Sequence, residues 1–77
     1  MLACLLACLQ LVPVATRYGE VRVKVAFLNG QVTNAKPEFD DCAALASAAA
    51  AEPGANVVTL AEVQRAAAAA FWEQHRT

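Results

Sequence analysis

The stretch that most constrains this chain is Glu20 to Leu28, EVRVKVAFL, followed at once by Asn29-Gly30. Val21, Val23, Val25 and Phe27 alternate with Glu20, Arg22, Lys24 and Ala26, the period of a strand with one buried face. Asn and Gly both tolerate the positive φ that a type I′ turn demands, so a second strand is expected to return through Gln31 to Lys36.

A two-residue turn also sets the register. In an uninterrupted ladder Leu28 faces Gln31, Phe27 faces Val32, Val25 faces Asn34 and Val23 faces Lys36, with Arg22, Lys24, Thr33 and Ala35 on the other face. Asn34 and Lys36 then stand among the valines. An amide and an ammonium there need water, a partner chain or a ligand, because burial without one costs roughly a few kcal/mol. Two other arrangements stay open: the second strand frays after Val32, or a bulge slips the register by one and turns Asn34 outward.

Seventy-seven residues allow one small domain, and a chain of that size buries only about 60% of the surface its unfolded form exposes. A partner chain, or the rest of a longer protein, is therefore expected to complete it. Nineteen alanines keep the interior side chains small. The net charge of -1 hides a split: residues 17 to 36 carry Arg17, Arg22, Lys24 and Lys36 against Glu20, whereas residues 37 to 77 are acidic. Such a division suits a phosphorylated ligand with a cation, or self-association through complementary patches. It does not suit nucleic acid, which selects a broader basic stripe with stacking aromatics. Cys4, Cys8 and Cys42 have neither disulfide-scaffold nor zinc spacing.

Met1 to Thr16 carries no charge, so it lacks the basic start of a secretory signal. Gln10, Pro13 and Thr16 interrupt it well short of a membrane span. It reads as an apolar lead-in, residues 1–16, to a small α+β domain over 17–77; a buried helix or strand, a segment without folded role and a targeting segment are the three readings open for it. If helical, it sets Cys4 and Cys8 on one face.

Pro37 suits a first helical turn, and Glu38, Asp40 and Asp41 beside it favour the positive end of the helix dipole. That helix is expected to reach about Ala51, with Phe39, Cys42, Ala46 and Ala49 inward. Glu52 to Asn56 is a turn around Pro53-Gly54. Thr59-Leu60-Ala61-Glu62 is a capping box, with Val58 and Val63 at the staple positions. A second helix follows from Leu60 to about Gln74, with Leu60, Val63, Ala67, Ala70 and Phe71 inward. His75 is expected to be an exposed last-turn residue.

No nucleophile, base and orienting group stand together in the sequence, and no P-loop or dinucleotide fingerprint is present, so the catalytic residues are unassigned. The richest cluster is Asn34, Lys36, Glu38, Asp40 and Asp41. Carboxylates suit a hard divalent ion, an ammonium suits phosphate and an amide suits a base or sugar. The same acids also serve as plain dipole partners.

The run GEVRVKVAFLNGQVTNAKPEFDDCAALA resembles the C-terminal domain of the LarC family, nickel-insertion proteins that complete the nickel-pincer nucleotide cofactor of lactate racemase. Val21-Arg22-Val23-Lys24-Val25, Asn29-Gly30 and the block Asn34 to Cys42 carry the likeness, and Thr59 to Ala67 resembles the family's closing helix; coverage is about residues 16 to 71. The resemblance implies a truncated member, a fragment of a ferredoxin-like α+β domain in which a β-hairpin precedes two helices. It implies a homo-oligomer that houses nucleotide between subunits, in the cytoplasm, away from nucleic acid and membrane. CTP with Mn2+ or Mg2+ is the implied cofactor pair, and Ni2+ is inserted into pyridinium-3,5-bisthiocarboxylic acid mononucleotide. On the motif positions, Arg22, Lys24 and Lys36 are expected at phosphate, Asn34 at the nucleotide, and Glu38, Asp40 and Asp41 at the cation. A separately encoded N-terminal nickel-insertion portion is the implied partner. The alternative from the residues alone is a small non-catalytic interaction domain.

Overall fold

The computed structural model describes residues 7–52, 54 and 57–75. Three antiparallel strands, β1 (Ala7–Thr16), β2 (Gly19–Leu28) and β3 (Gln31–Pro37), lie in the order β1-β2-β3, and the helices α1 (Phe39–Ala50) and α2 (Leu60–Gln74) follow. The fold is α+β, with one more strand than the expected hairpin. The extra strand comes from residues 7–16 of the apolar lead-in: β1 pairs with β2 along its whole length, from Ala7 against Leu28 to Thr16 against Gly19.

The turn between β1 and β2 is tied by one side chain. Thr16 Oγ1 accepts from Tyr18 N–H at 3.0 Å and donates to the Gly19 carbonyl at 2.7 Å. Gly19 takes φ +135°, and a Cβ there would stand 2.8 Å from a Leu45 methyl, so α1 packs directly onto a bare glycine backbone. Between β2 and β3 the expected turn is present, with Asn29 at φ 52° and Gly30 at φ 82°.

Past that turn the uninterrupted register fails and the bulge is found. Leu28 faces Gln31 and Phe27 faces Val32 as expected, but Ala26 faces Asn34, Val25 faces Ala35, Lys24 faces Lys36 and Val23 faces Pro37. Thr33 is the extra residue, its Oγ1 donating to the Ala26 carbonyl at 3.2 Å. The physical reason lies in what each register buries. Without the bulge an amide and an ammonium face the helices; with it Ala35 takes that side and packs against the core, while Asn34 and Lys36 are exposed.

The core is Val14, Val21, Val23 and Val25 of the sheet against Cys42 of α1 and Val63, Ala67 and Phe71 of α2. No polar side chain is fully buried among the described residues. α2 begins as the capping box dictates: Thr59 Oγ1 accepts from Glu62 N–H at 3.1 Å, and the Glu62 carboxylate accepts from Thr59 N–H at 2.9 Å. Val58 is half-buried against the core cluster to which Val63 belongs. Glu62 is held below the usual carboxylate range, chiefly by that backbone hydrogen bond.

α1 departs from expectation at its start. Pro37 closes β3 rather than opening the helix, and Glu38 is the N-cap without a side-chain cap hydrogen bond. Phe39 is 59% exposed, not inward. Side chains of a helix tilt toward its N-terminus, so a large residue in the first position projects beyond the packed turns. Ala46 and Ala49 are half-buried. The expected turn at Glu52 to Asn56 and the helix face that Cys4 and Cys8 would share involve positions outside the described residues; Cys8 itself lies in strand, exposed, and Cys42 is buried. Among the described residues no helix is long and apolar enough to cross a membrane.

Candidate functional site

Where β3 gives way to α1, the chain leaves the sheet at Glu38 and the ladder must end. Glu38 N–H still donates to the Arg22 carbonyl at 2.8 Å, but the Glu38 carbonyl accepts from Cys42 N–H at 3.2 Å, inside α1. Arg22 N–H thereby loses its strand acceptor. Asp41 supplies one: its Oδ2 accepts from Arg22 N–H and from Arg22 Nε, both at 2.9 Å, and its Oδ1 accepts from Arg22 Nη2 at 2.7 Å. The guanidinium hydrogen bonds, then the backbone one, lower the Asp41 carboxyl to about 2. The same pairing holds Arg22 more firmly protonated. Burial, with the Asp41 charge second, raises the Cys42 thiol, so it is not a ready thiolate.

Lys24 and Lys36 sit directly opposite one another on the sheet. Like charges at such a pair repel, and neither ammonium meets a carboxylate among the described residues. They line a groove of about 550 Å³ with Pro37, Glu38, Phe39 and, from α2, Gln64 and Ala68. That volume lies within the range of small-molecule sites. Chemically the groove can hold an anion on two ammoniums and a flat apolar group against Phe39, Pro37 and Ala68.

Of the residues expected at a site, Lys24, Lys36 and Glu38 are brought together in this groove. Asn34 is exposed one strand period away, opposite Ala26, on the face of Lys24 and Lys36. Arg22 and Asp41 are committed to each other. Asp40 is exposed in the first turn of α1. Glu38, Asp40 and Asp41 do not converge: among the described residues no three His, Cys, Asp or Glu side chains could hold one metal ion. Helical neighbours diverge by about 100°, and Asp41 is turned to β2, so the residues present do not form a cation cage. Phe39, Gln64 and Ala68 were not expected here. An exposed aromatic at a strand-to-helix junction is the signal that could have found Phe39; nothing local marks Gln64 or Ala68, which only packing brings to β3. His75 lies elsewhere, stacked on Phe71 at 4.3 Å, its Nδ1 3.0 Å from the Phe71 carbonyl.

The fold and groove define a small α+β unit whose surface groove has a basic lip. The profile of the family described as "Nickel insertion protein" matches residues 6–57, and the chain belongs to that family. The match begins within the apolar lead-in, so it takes in β1, which the motifs had left outside the likeness. A relative in Cyanothece sp. is 46% identical over 37 residues, 48% of this chain and 9% of its own length. The pyridinium-3,5-bisthiocarboxylic acid mononucleotide nickel insertion protein of Desulfitobacterium hafniense strain Y51 is likewise 46% identical over 37 residues. A relative in Gloeobacter violaceus is 57% identical over 30 residues, 39% of this chain. The chain thus spans about a tenth of the length of these relatives. No solved structure matches it.

Proposed function

We propose that this chain acts as a nucleotide-binding and oligomerisation domain in CTP-dependent nickel insertion, a lyase or chelatase chemistry that works on a phosphorylated pyridinium in the cytoplasm. The observation that carries this reading is the facing Lys24 and Lys36, with no carboxylate partner among the described residues, in a groove of ligand size. Two repelling ammoniums are relieved by a polyanion that accepts hydrogen bonds from both. Family membership supports the same reading, as does the relative in Desulfitobacterium hafniense, a nickel insertion protein named for a mononucleotide. Asn34, on the same face, is the amide placed to meet the rest of the nucleotide. Glu38, which lines the groove, is the carboxylate left to meet a Mn2+ or Mg2+ that a triphosphate carries; Ni2+ is cargo. The sheet would extend into a ferredoxin-like whole with the remainder of a longer protein or a separately encoded portion.

Calorimetric titration of CTP into the full chain, with and without Mg2+ or Mn2+, tests this. Wild type is expected to bind, and Lys36→Ala to weaken binding about tenfold or more, the scale of one hydrogen bond to a charged group. A folded, assembled sample that takes up no nucleotide, with or without cation, leaves the second reading, a non-catalytic interaction domain. The feature favouring that second reading is the β1 edge, where Leu9 and Leu11 are 67% and 50% exposed.

A further inference from the structure

We infer that Phe39 is the stacking platform for the base of a nucleoside triphosphate whose phosphates lie on Lys24 and Lys36; this rests on the nucleotide reading of the groove and adds its base-side wall. Phe39 is 59% exposed and takes no part in the core or in the apolar shell packed around it. Its only described setting is the groove, with Pro37 and Ala68 as further apolar walls. A large aromatic kept out of the core and set beside two ammoniums divides the groove into a charged part and a flat apolar part. That division matches neither inorganic phosphate nor a sugar phosphate, which have no planar apolar face. It matches a base joined to phosphates.

The chain length agrees. Only Pro37 and Glu38 separate Lys36 from Phe39, at most about 10 Å of backbone, the scale of a nucleotide from base to phosphates. Gln64 lines the same groove half-buried, and its amide, one acceptor and two donors, makes no hydrogen bond among the described residues. It is positioned to meet the polar edge of a stacked base. Stacking tolerates any base, so Phe39 contributes affinity and Gln64 the preference among bases.

The test compares CTP with inorganic tripolyphosphate on wild type, Phe39→Ala, Phe39→Tyr and Lys36→Ala, with thermal melts as the folding control. Phe39→Ala is expected to weaken CTP about tenfold while leaving tripolyphosphate unchanged, and Phe39→Tyr to restore CTP. Lys36→Ala should weaken both ligands. If Phe39→Ala binds CTP as wild type does while Lys36→Ala loses both ligands, the platform is overturned and the phosphate site stands. If wild type binds neither ligand, the nucleotide reading falls and the platform with it.

Discussion

Asp41 does the work of a backbone carbonyl. The ladder between β2 and β3 ends one residue early because the Glu38 carbonyl is taken by α1, and the Asp41 carboxylate fills the vacant acceptor position at Arg22 N–H while holding the guanidinium as well. This joins the first turn of α1 to β2. The folded-state carboxyl titrates at about 2 against an ordinary 3.8, so its stabilisation is fully present above about pH 4 and is lost as pH falls through 2. Asp41→Asn keeps one acceptor oxygen and has no charge to lose. Urea midpoints should therefore separate wild type from Asp41→Asn at pH 5 and bring them together near pH 2; a constant gap would refute the linkage. From the sequence, Asp41 reads as a dipole partner first and a cation ligand second. Its actual partner is 19 positions away, beyond any local pattern.

At the scale of elements, the bulge decides which chemistry reaches the groove. Thr33 is the residue with no partner in β2, so the pairs on either side of it, Phe27 with Val32 and Ala26 with Asn34, already alternate correctly without it. Deleting Thr33 should leave a regular ladder, with Ala35 still toward the core and Lys36 still opposite Lys24. The expected result is a folded protein with retained Val25 to Ala35 contacts in nuclear Overhauser spectra; loss of the fold would show that the bulge itself supplies needed twist. The turn at Asn29-Gly30 and the start of α2 were legible because two or four adjacent residues specify each. The register beyond the turn was open, since ladder continuity and burial favour different answers and only the helices overhead arbitrate.

For the whole molecule, the two sheet edges differ. β3 is short, bulged and ends in Lys36-Pro37, the features that discourage edge pairing, whereas β1 runs ten residues without a charge. Pro13 is opposite Arg22, whose N–H and carbonyl face the β3 side, so the donor that Pro13 lacks would have pointed out of the sheet. Leu9 and Leu11 keep both outward backbone groups. A second copy pairing antiparallel through Ala7 to Leu11 meets no like charge, and it is the oligomer contact we expect. Sedimentation should show wild type associating and Leu9→Lys with Leu11→Lys monomeric yet folded, because neither leucine is in the core. Association unchanged in that double variant would place the contact elsewhere.

Amino-acid order alone determined what adjacent residues control: the alternating β2, the reversal at Asn29-Gly30, the boxed start of α2 and its inward stripe, with the motif that places the chain in its family. Tertiary structure alone decided that residues 7–16 of the uncharged lead-in become β1, that Asn34 and Lys36 turn outward, that Phe39 stays out of the core and that Asp41 closes on Arg22. The reason is physical. Turns and caps are satisfied by hydrogen bonds and torsions within a few residues, whereas the choice of buried face compares the desolvation of distant side chains, which has no value until sheet and helices meet.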